Sequence, residues 1–238
     1  MKRMHTALVL GIVMLSLPAS ALAAADLFNL QFNAPGQGNQ QTGAAVVGTS
    51  GDYWNNLQSL GSGLQTLWDA SSSLNSVTFS WNSDGAYDTW ASGFTNTPYS
   101  NLMSGYLYAY STNSYDLTFS GLQANSAFSA YIYSQGDDHP NRQLSVTDLV
   151  SSNNYTTLIC NPTLSTFVAG QNYLLINGTT DANGQVKFRY NKASSSEANI
   201  NGIQLQALAV PEPSTYALLC ISLGVVGYAR KKMMKPTP

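Results

Sequence analysis

Charge is scarce in this chain: only 9% of its 238 residues are Asp, Glu, Lys or Arg, and the ten bases are unevenly placed. Lys2, Arg3, Arg230, Lys231, Lys232 and Lys235 sit at the extreme ends, which leaves Arg142, Lys187, Arg189 and Lys192 for everything between them. Against those four stand eleven acids from Asp26 to Glu197, so the central stretch 24–209 carries a net charge of −7. Without a basic stripe it has nothing to neutralise a phosphate backbone, which argues against nucleic acid as a partner. Cysteine is almost missing as well. Cys220 lies in an apolar run near the C-terminus and Cys160 stands alone in the body, which rules out an intradomain disulfide and a cysteine metal cluster. Histidine is equally rare: His5 is near the N-terminus, so any Ser/His/Asp arrangement in the body would have to use His139. Lys and Glu, both good helix formers, are sparse in the body, while Ser, Asn, Thr, Gly and Tyr abound.

Long hydrophobic runs are absent from the middle and present at both ends. Lys2 and Arg3 precede the apolar stretch Ala7 to Leu17, Pro18 breaks it, and Ala21-Leu22-Ala23 supplies the small residues a signal peptidase reads. Residues 1–23 therefore read as a signal peptide, with Ala21, Ala23 and Ala24 around the cut; a cut after Ala25 is the near alternative. At the other end, Val210-Pro211-Glu212-Pro213 leads into the run Tyr216 to Ala229 and then into Arg230-Lys231-Lys232. Pro211 and Pro213 prevent a helix from running out of the body into that segment. Its 14 residues cover about 21 Å, against roughly 30 Å of bilayer hydrocarbon, so it is a marginal span that needs thinning of the bilayer or snorkelling by its basic residues. Those charges put the 230–238 tail in the cytoplasm. A short terminal core helix is the competing reading, but it gives the proline lead and the basic stop no purpose.

That succession resembles the PEP-CTERM sorting signal of Gram-negative bacteria, here over 210–238. The resemblance implies recognition by an exosortase, passage through the inner membrane with transient anchoring there, and release to the cell surface or beyond. It gives the protein an address and no activity.

The body, 24–209, is long enough for one all-β domain. Val77, Phe79 and Trp81 alternate with Thr78 and Ser80, Leu117 and Phe119 repeat the pattern, and so do Val186, Phe188 and Tyr190. Further strands are expected at Leu27–Phe32, Leu102–Tyr110, Phe128–Tyr133, Gln143–Leu149, Tyr155–Cys160, Asn172–Ile176 and Ile200–Ala207. Asp181-Ala182-Asn183-Gly184 reads as a hairpin turn, and helical turns are expected only at Asn55–Leu60 and Leu64–Trp68. Roughly ten short strands at this spacing predict an all-β fold, a two-sheet antiparallel jelly-roll-like sandwich. The body is similar to galactose-binding-like jelly rolls in its opening Leu27-Phe28-Asn29-Leu30-Gln31-Phe32, its Gly51-Asp52-Tyr53-Trp54, its Leu117-Thr118-Phe119-Ser120-Gly121-Leu122 and its closing Ile200-Asn201-Gly202-Ile203-Gln204-Leu205. The resemblance implies that the first and last strands pair.

Two stretches are candidate ligand sites. Asp137-Asp138-His139-Pro140-Asn141-Arg142 follows a strand, and Asp137 with Asp138 is a candidate Ca²⁺ site; an ordinary solvated turn has the same composition. Asp52-Tyr53-Trp54 offers an aromatic face for a pyranose and a carboxylate for its hydroxyls, in competition with plain core packing. Asp84 and Asp88, flanking Tyr87, form a possible carboxylate pair or cap turns, and Asp84 with Asp137 is a pairing a glycosidase could use. Nothing near His139 resembles a nucleophile elbow. The expectation is a non-enzymatic surface or matrix protein that binds an extracellular polysaccharide. The alternatives are a structural protein that packs on neighbouring copies, and a glycan-active hydrolase.

Overall fold

The computed structural model describes residues 25–207, apart from 59, 89–92, 138–140 and 195. The expected signal peptide, the segment 210–238, Trp90, Asp138 and His139 lie outside the described residues. Among those described, no helix is long and apolar enough to cross a membrane.

The chain alternates by twos nearly throughout, and the period places one face of each strand in a common core. Strand β1 (Asp26–Asn33) turns Phe28, Leu30 and Phe32 inward. It is followed by β2 (Asn55–Gln58), β3 (Ser62–Trp68), β4 (Leu74–Asn82) and β5 (Gly85–Asp88), then by helix α1 (Ser100–Ser104) and strand β6 (Gly105–Ala109). After these come β7 (Tyr115–Ser120), β8 (Ala127–Tyr133), β9 (Leu144–Asp148), β10 (Asn154–Thr156), β11 (Tyr173–Thr179), β12 (Val186–Lys192), β13 (Ala198–Ile200) and β14 (Gly202–Ala207). They form a five-stranded sheet in the order β11-β8-β14-β1-β2 and a six-stranded sheet in the order β10-β9-β12-β7-β4-β3, with a small third sheet, β13-β6-β5. The fold is all-β, a jelly-roll sandwich in which β1 and β14 pair antiparallel from Asp26↔Ala207 to Gln31↔Gly202, as the resemblance implies. The β1–β2 pair is parallel.

One core joins the three sheets. Phe32 of the five-stranded sheet lies 6.0 Å from Phe79 and 6.4 Å from Trp81 of the six-stranded one, and Phe128 meets Phe188 edge-on at 5.9 Å. Ala86, Leu107, Ala109, Ala198 and Ile200 bring in the inner face of the third sheet. The corner between sheets is made by Asn201, whose side chain donates to Met103 O (3.2 Å) and Gly105 O (2.9 Å) and accepts from Gln135 N (2.6 Å). Beyond it the last strand leaves β6 and joins β8.

Four local expectations are corrected. Asn55–Leu60 holds strand β2 and Leu64–Trp68 lies within strand β3, in place of helical turns, because pairing with β1 and β4 satisfies their backbone. Leu102 and Met103 belong to α1, and the strand begins only at Gly105. Tyr155–Cys160 keeps strand structure only to Thr156. At Asp181–Gly184 the turn exists, with Gly184 N donating to Asp181 O at 3.0 Å, but it is no hairpin: β11 pairs with β8 while β12 pairs with β7 and β9 in the opposite sheet. A tight turn fixes the chain reversal and leaves the strand partner open.

Candidate functional site: a tyrosine-lined cleft

On the third sheet, alternation separates two chemistries. Ala86, Leu107 and Ala109 point into the core, while Tyr87, Tyr106 and Tyr108 share the other face, where Tyr87 is registered with Tyr106 and Gly85 with Tyr108. A Cβ at Gly85 would stand 2.4 Å from the Tyr108 hydroxyl, so only glycine lets that ring lie over its neighbour. With Tyr110, Asp84, Ser111, Asp137, Arg142 and Glu197, these tyrosines line an open cleft of about 550 Å³, within the roughly 300–1,000 Å³ usual for ligand sites. Tyr87 and Tyr110 are 52% and 65% exposed, whereas Tyr106 is buried at the floor with its ring 6.0 Å from that of Tyr87.

Arg142 holds the floor together. Its Nη2 pairs with Asp137 at 3.0 Å, its Nη1 pairs with Glu197 at 3.0 Å and donates to the Tyr106 hydroxyl at 3.0 Å, and its guanidinium carbon lies 5.5 Å from the centroid of the Tyr106 ring. A Cβ at Gly136, in the loop after β8, would fall 2.3 Å from Nη1 and 2.7 Å from Asn199 Oδ1, so a side chain there would displace the guanidinium. Burial raises the Tyr106 hydroxyl well above its ordinary range, with Arg142 opposing, so the hydroxyl stays protonated.

Asp84 forms part of the rim. Its Oδ2 accepts from the N–H groups of Tyr110 (2.7 Å) and Ser111 (2.8 Å), and Oδ1 accepts a short hydrogen bond from the Tyr115 hydroxyl. Burial works to raise its pKa, but the Ser111, Tyr115 and Tyr110 bonds outweigh it and hold the carboxyl below its usual value. It is thus a turn cap and also a fixed anion at the mouth of the cleft. Asp88, its expected partner, is not among the lining residues; burial raises its pKa, and Ala34 N approaches its Oδ1 at 3.4 Å.

The structure therefore gathers Asp137 and Arg142 from one expected site with Asp84, the carboxylate the sequence pairs with Asp137, and adds Tyr87, Tyr106, Tyr108, Tyr110 and Glu197. The paired tyrosines leave one signal in the sequence, Tyr106-Leu107-Tyr108 alternating on a strand, which by itself does not distinguish a face packed in the core from one open to a ligand. Arg142 Nη2 pairs with Asp137, and Asp138, the other half of the candidate Ca²⁺ pair, lies outside the described residues, among which no three His, Cys, Asp or Glu side chains are arranged to hold a metal.

The other expected site is a correction. Trp54 is fully buried, packed with Phe94, Leu102, Met103 and Tyr133, and its Nε1 donates to Gly43 O at 2.7 Å, so no pyranose can reach its ring. Asp52 accepts from Thr49 N (3.0 Å) and Thr49 Oγ1 (2.5 Å), which closes a loop. Tyr53 is half-buried, 6.1 Å from the ring of Trp68.

The PEP-CTERM protein-sorting motif matches residues 209–232. The chain thus carries the sorting signal of exosortase substrates, which marks it for export and C-terminal membrane anchoring before processing. No curated protein matches it significantly. Among solved structures it is similar to the protein YxiM of Bacillus subtilis (13% identity, TM-score 0.40, 77% of this chain and 40% of that one). It is also similar to the C-terminal family 6 carbohydrate-binding module of the laminarinase LamC from Zobellia galactanivorans (14%, 0.26, 43% and 80%) and to the family 35 module of Abf62 from Cellvibrio japonicus (13%, 0.25, 80% and 92%). The chain spans well under two thirds of the YxiM chain.

Proposed function

We propose that this is an exported, exosortase-processed protein of the cell surface or extracellular matrix, with a signal peptide at 1–23 and a sorting tail at 210–238, whose β-sandwich binds saccharide in the tyrosine-lined cleft without catalysis. The supporting observation is the joint presence of solvent-facing Tyr87 and Tyr110 and fixed carboxylates in one open cleft. Tyrosine faces pack on the C–H faces of a sugar ring, while carboxylates accept from its hydroxyls. The sorting motif is consistent with a polysaccharide-rich setting such as a biofilm.

A glycosidase requires one carboxyl kept protonated beside a second that is free to act. In the cleft, Asp84 is stabilised as an anion by three donors, while Asp137 and Glu197 are both held by Arg142. That arrangement favours binding over hydrolysis.

A second reading, assembly with other copies, is favoured by the edge strand β3. Its residues 62–68 are uncharged, and Leu64 and Trp68, with Leu74 of β4, are 73%, 39% and 56% exposed, where most edge strands carry charge or proline. The full chain in mild detergent, applied to a glycan array, separates the two: retention that falls at least about tenfold in Tyr87→Ala and Tyr110→Ala, the scale of a lost stacking contact, supports the cleft, whereas absence of retention on every glycan overturns it.

A further inference from the structure

Among sugars, the cleft has a charge preference of its own. Three carboxylates, Asp84, Asp137 and Glu197, line it against one guanidinium, Arg142, and both terminal nitrogens of that guanidinium are already engaged by Asp137 and Glu197. Lys192 stands nearby with its Nζ 5.3 Å from the Tyr110 ring centroid, and that ammonium is tethered to Tyr110 O at 2.6 Å. Counting it with the lining residues leaves the site with a net charge of −1, and its one guanidinium already serves two carboxylates. An acidic sugar would enter against that like charge.

The same walls suit a cation. The face of an aromatic ring carries negative quadrupolar potential, and two tyrosines of the cleft already use it, Tyr106 under Arg142 and Tyr110 under Lys192. Tyr87, 52% exposed, has no such cation in contact among the described residues and presents an open face. Asp84 stays ionised under its hydrogen bonds from Tyr110, Ser111 and Tyr115, which fix its negative charge at the rim of the cleft.

We infer that the cleft selects amine-bearing saccharides, polymers of amino sugars with free ammonium groups, over their N-acetylated or uronic-acid counterparts. The inference rests on the saccharide reading of the cleft. In it, the ammonium docks between the open face of Tyr87 and the rim carboxylate of Asp84 while the sugar ring packs on Tyr110.

The test uses the full chain in mild detergent with three oligosaccharides of matched length: glucosamine, N-acetylglucosamine and galacturonate oligomers, together with a panel of neutral oligosaccharides. The expected result is binding of the glucosamine oligomer at least about tenfold tighter than that of the N-acetylated one, the combined scale of one exposed cation–π contact and one exposed ion pair. No uptake of the galacturonate is expected, and added salt should erode the preference. Tyr87→Ala should erase the preference while thermal unfolding stays unchanged. Equal binding of acetylated and free-amine oligomers, or tighter binding of the uronate, overturns the inference and leaves the saccharide reading standing. Failure of every oligosaccharide overturns both.

Discussion

Replacing Arg142 by Met tests whether the cleft floor is held electrostatically. The substitution keeps an unbranched stem of similar length against Tyr106 and removes the guanidinium that faces Asp137, Glu197 and the Tyr106 hydroxyl at 3.0 Å each. Both carboxylates then remain close together without their shared cation. Removing one partner from a buried ion pair costs about 3–5 kcal/mol. Here the Arg142 side chain is 8% exposed, but those of Asp137 and Glu197 keep 18% and 14%, so solvent relieves part of the penalty and the lower end applies. A loss of about 3 kcal/mol in a domain of 150–250 residues lowers Tm by roughly 6–12 °C. Circular dichroism melts of the full chain at neutral pH measure it. Adding Glu197→Gln to Arg142→Met should recover part of the loss, because the second change removes one of the stranded charges. A single variant within about 2 °C of the parent, or a double variant no better than the single, would show that Arg142 does not organise this floor.

Two further outcomes follow from the core and from one misplaced carboxyl. Phe79→Ala removes a fully buried ring that sits 4.6 Å from Phe119 and 5.6 Å from Trp81; the expected loss is about 3–5 kcal/mol, read as a drop in denaturant midpoint with unchanged m-value. Asp88→Asn should stabilise the protein at neutral pH. Burial raises the Asp88 pKa, and its Oδ2 is buried without a hydrogen-bond partner among the described residues, so ionisation costs native stability above the folded pKa and the cost vanishes as pH falls through it. The gain in Tm of the Asn variant should therefore be largest at pH 7 and fade on acidification; a gain that grows on acidification refutes the assignment.

Alternation carried most of the fold into the sequence. Val77, Phe79 and Trp81 face the core with Leu117, Phe119, Val186, Phe188 and Tyr190, as their spacing predicts, because a pleated strand against a single core has little freedom to do otherwise. Strands β2 and β3 were hidden because Asn55–Gln58 and Ser62–Trp68 contain few β-branched or paired apolar residues, and their strand state comes from their partners β1 and β4. At Trp54 core packing prevails over the ligand reading, and for a related reason the sequence leaves the two in competition. Its polar neighbours Asp52, Asn55 and Asn56 look like surface, but Asn55 bonds to Asn29 O and Trp68 O, and a layer of loops closes over the five-stranded sheet. The cleft was half legible. Asp137 and Arg142 stand five residues apart on one loop, while Tyr87, Tyr106 and Glu197 come from separate strands and a connecting segment that meet only through pairing.

That loop layer also accounts for where a ligand can reach the sandwich. On the outer face of the five-stranded sheet, Tyr133 is fully buried, its hydroxyl bonded to Val46 N at 3.0 Å and its ring 4.9 Å from Phe167, and Gln204 bonds Asn29 Oδ1 at 2.8 Å and Val47 O at 3.0 Å. The side chains there are polar or aromatic, the composition of a binding face, yet segments from Ala45 to Trp54, Phe94 to Met103 and around Phe167 satisfy and cover them. The third sheet has the same outward aromatics, and among the described residues Tyr87 and Tyr110 remain exposed. Asn201 turns the last strand away from β6 and into the five-stranded sheet, and among the described residues Asp84 stands at the rim of the cleft while Asp137 and Glu197 meet Arg142 at its floor. Tyrosines alike in chemistry therefore differ in exposure according to which sheet the described loops close over, and on the proposed saccharide reading, grafting the Phe167 segment's bulk over the cleft mouth should abolish binding while leaving the core unchanged.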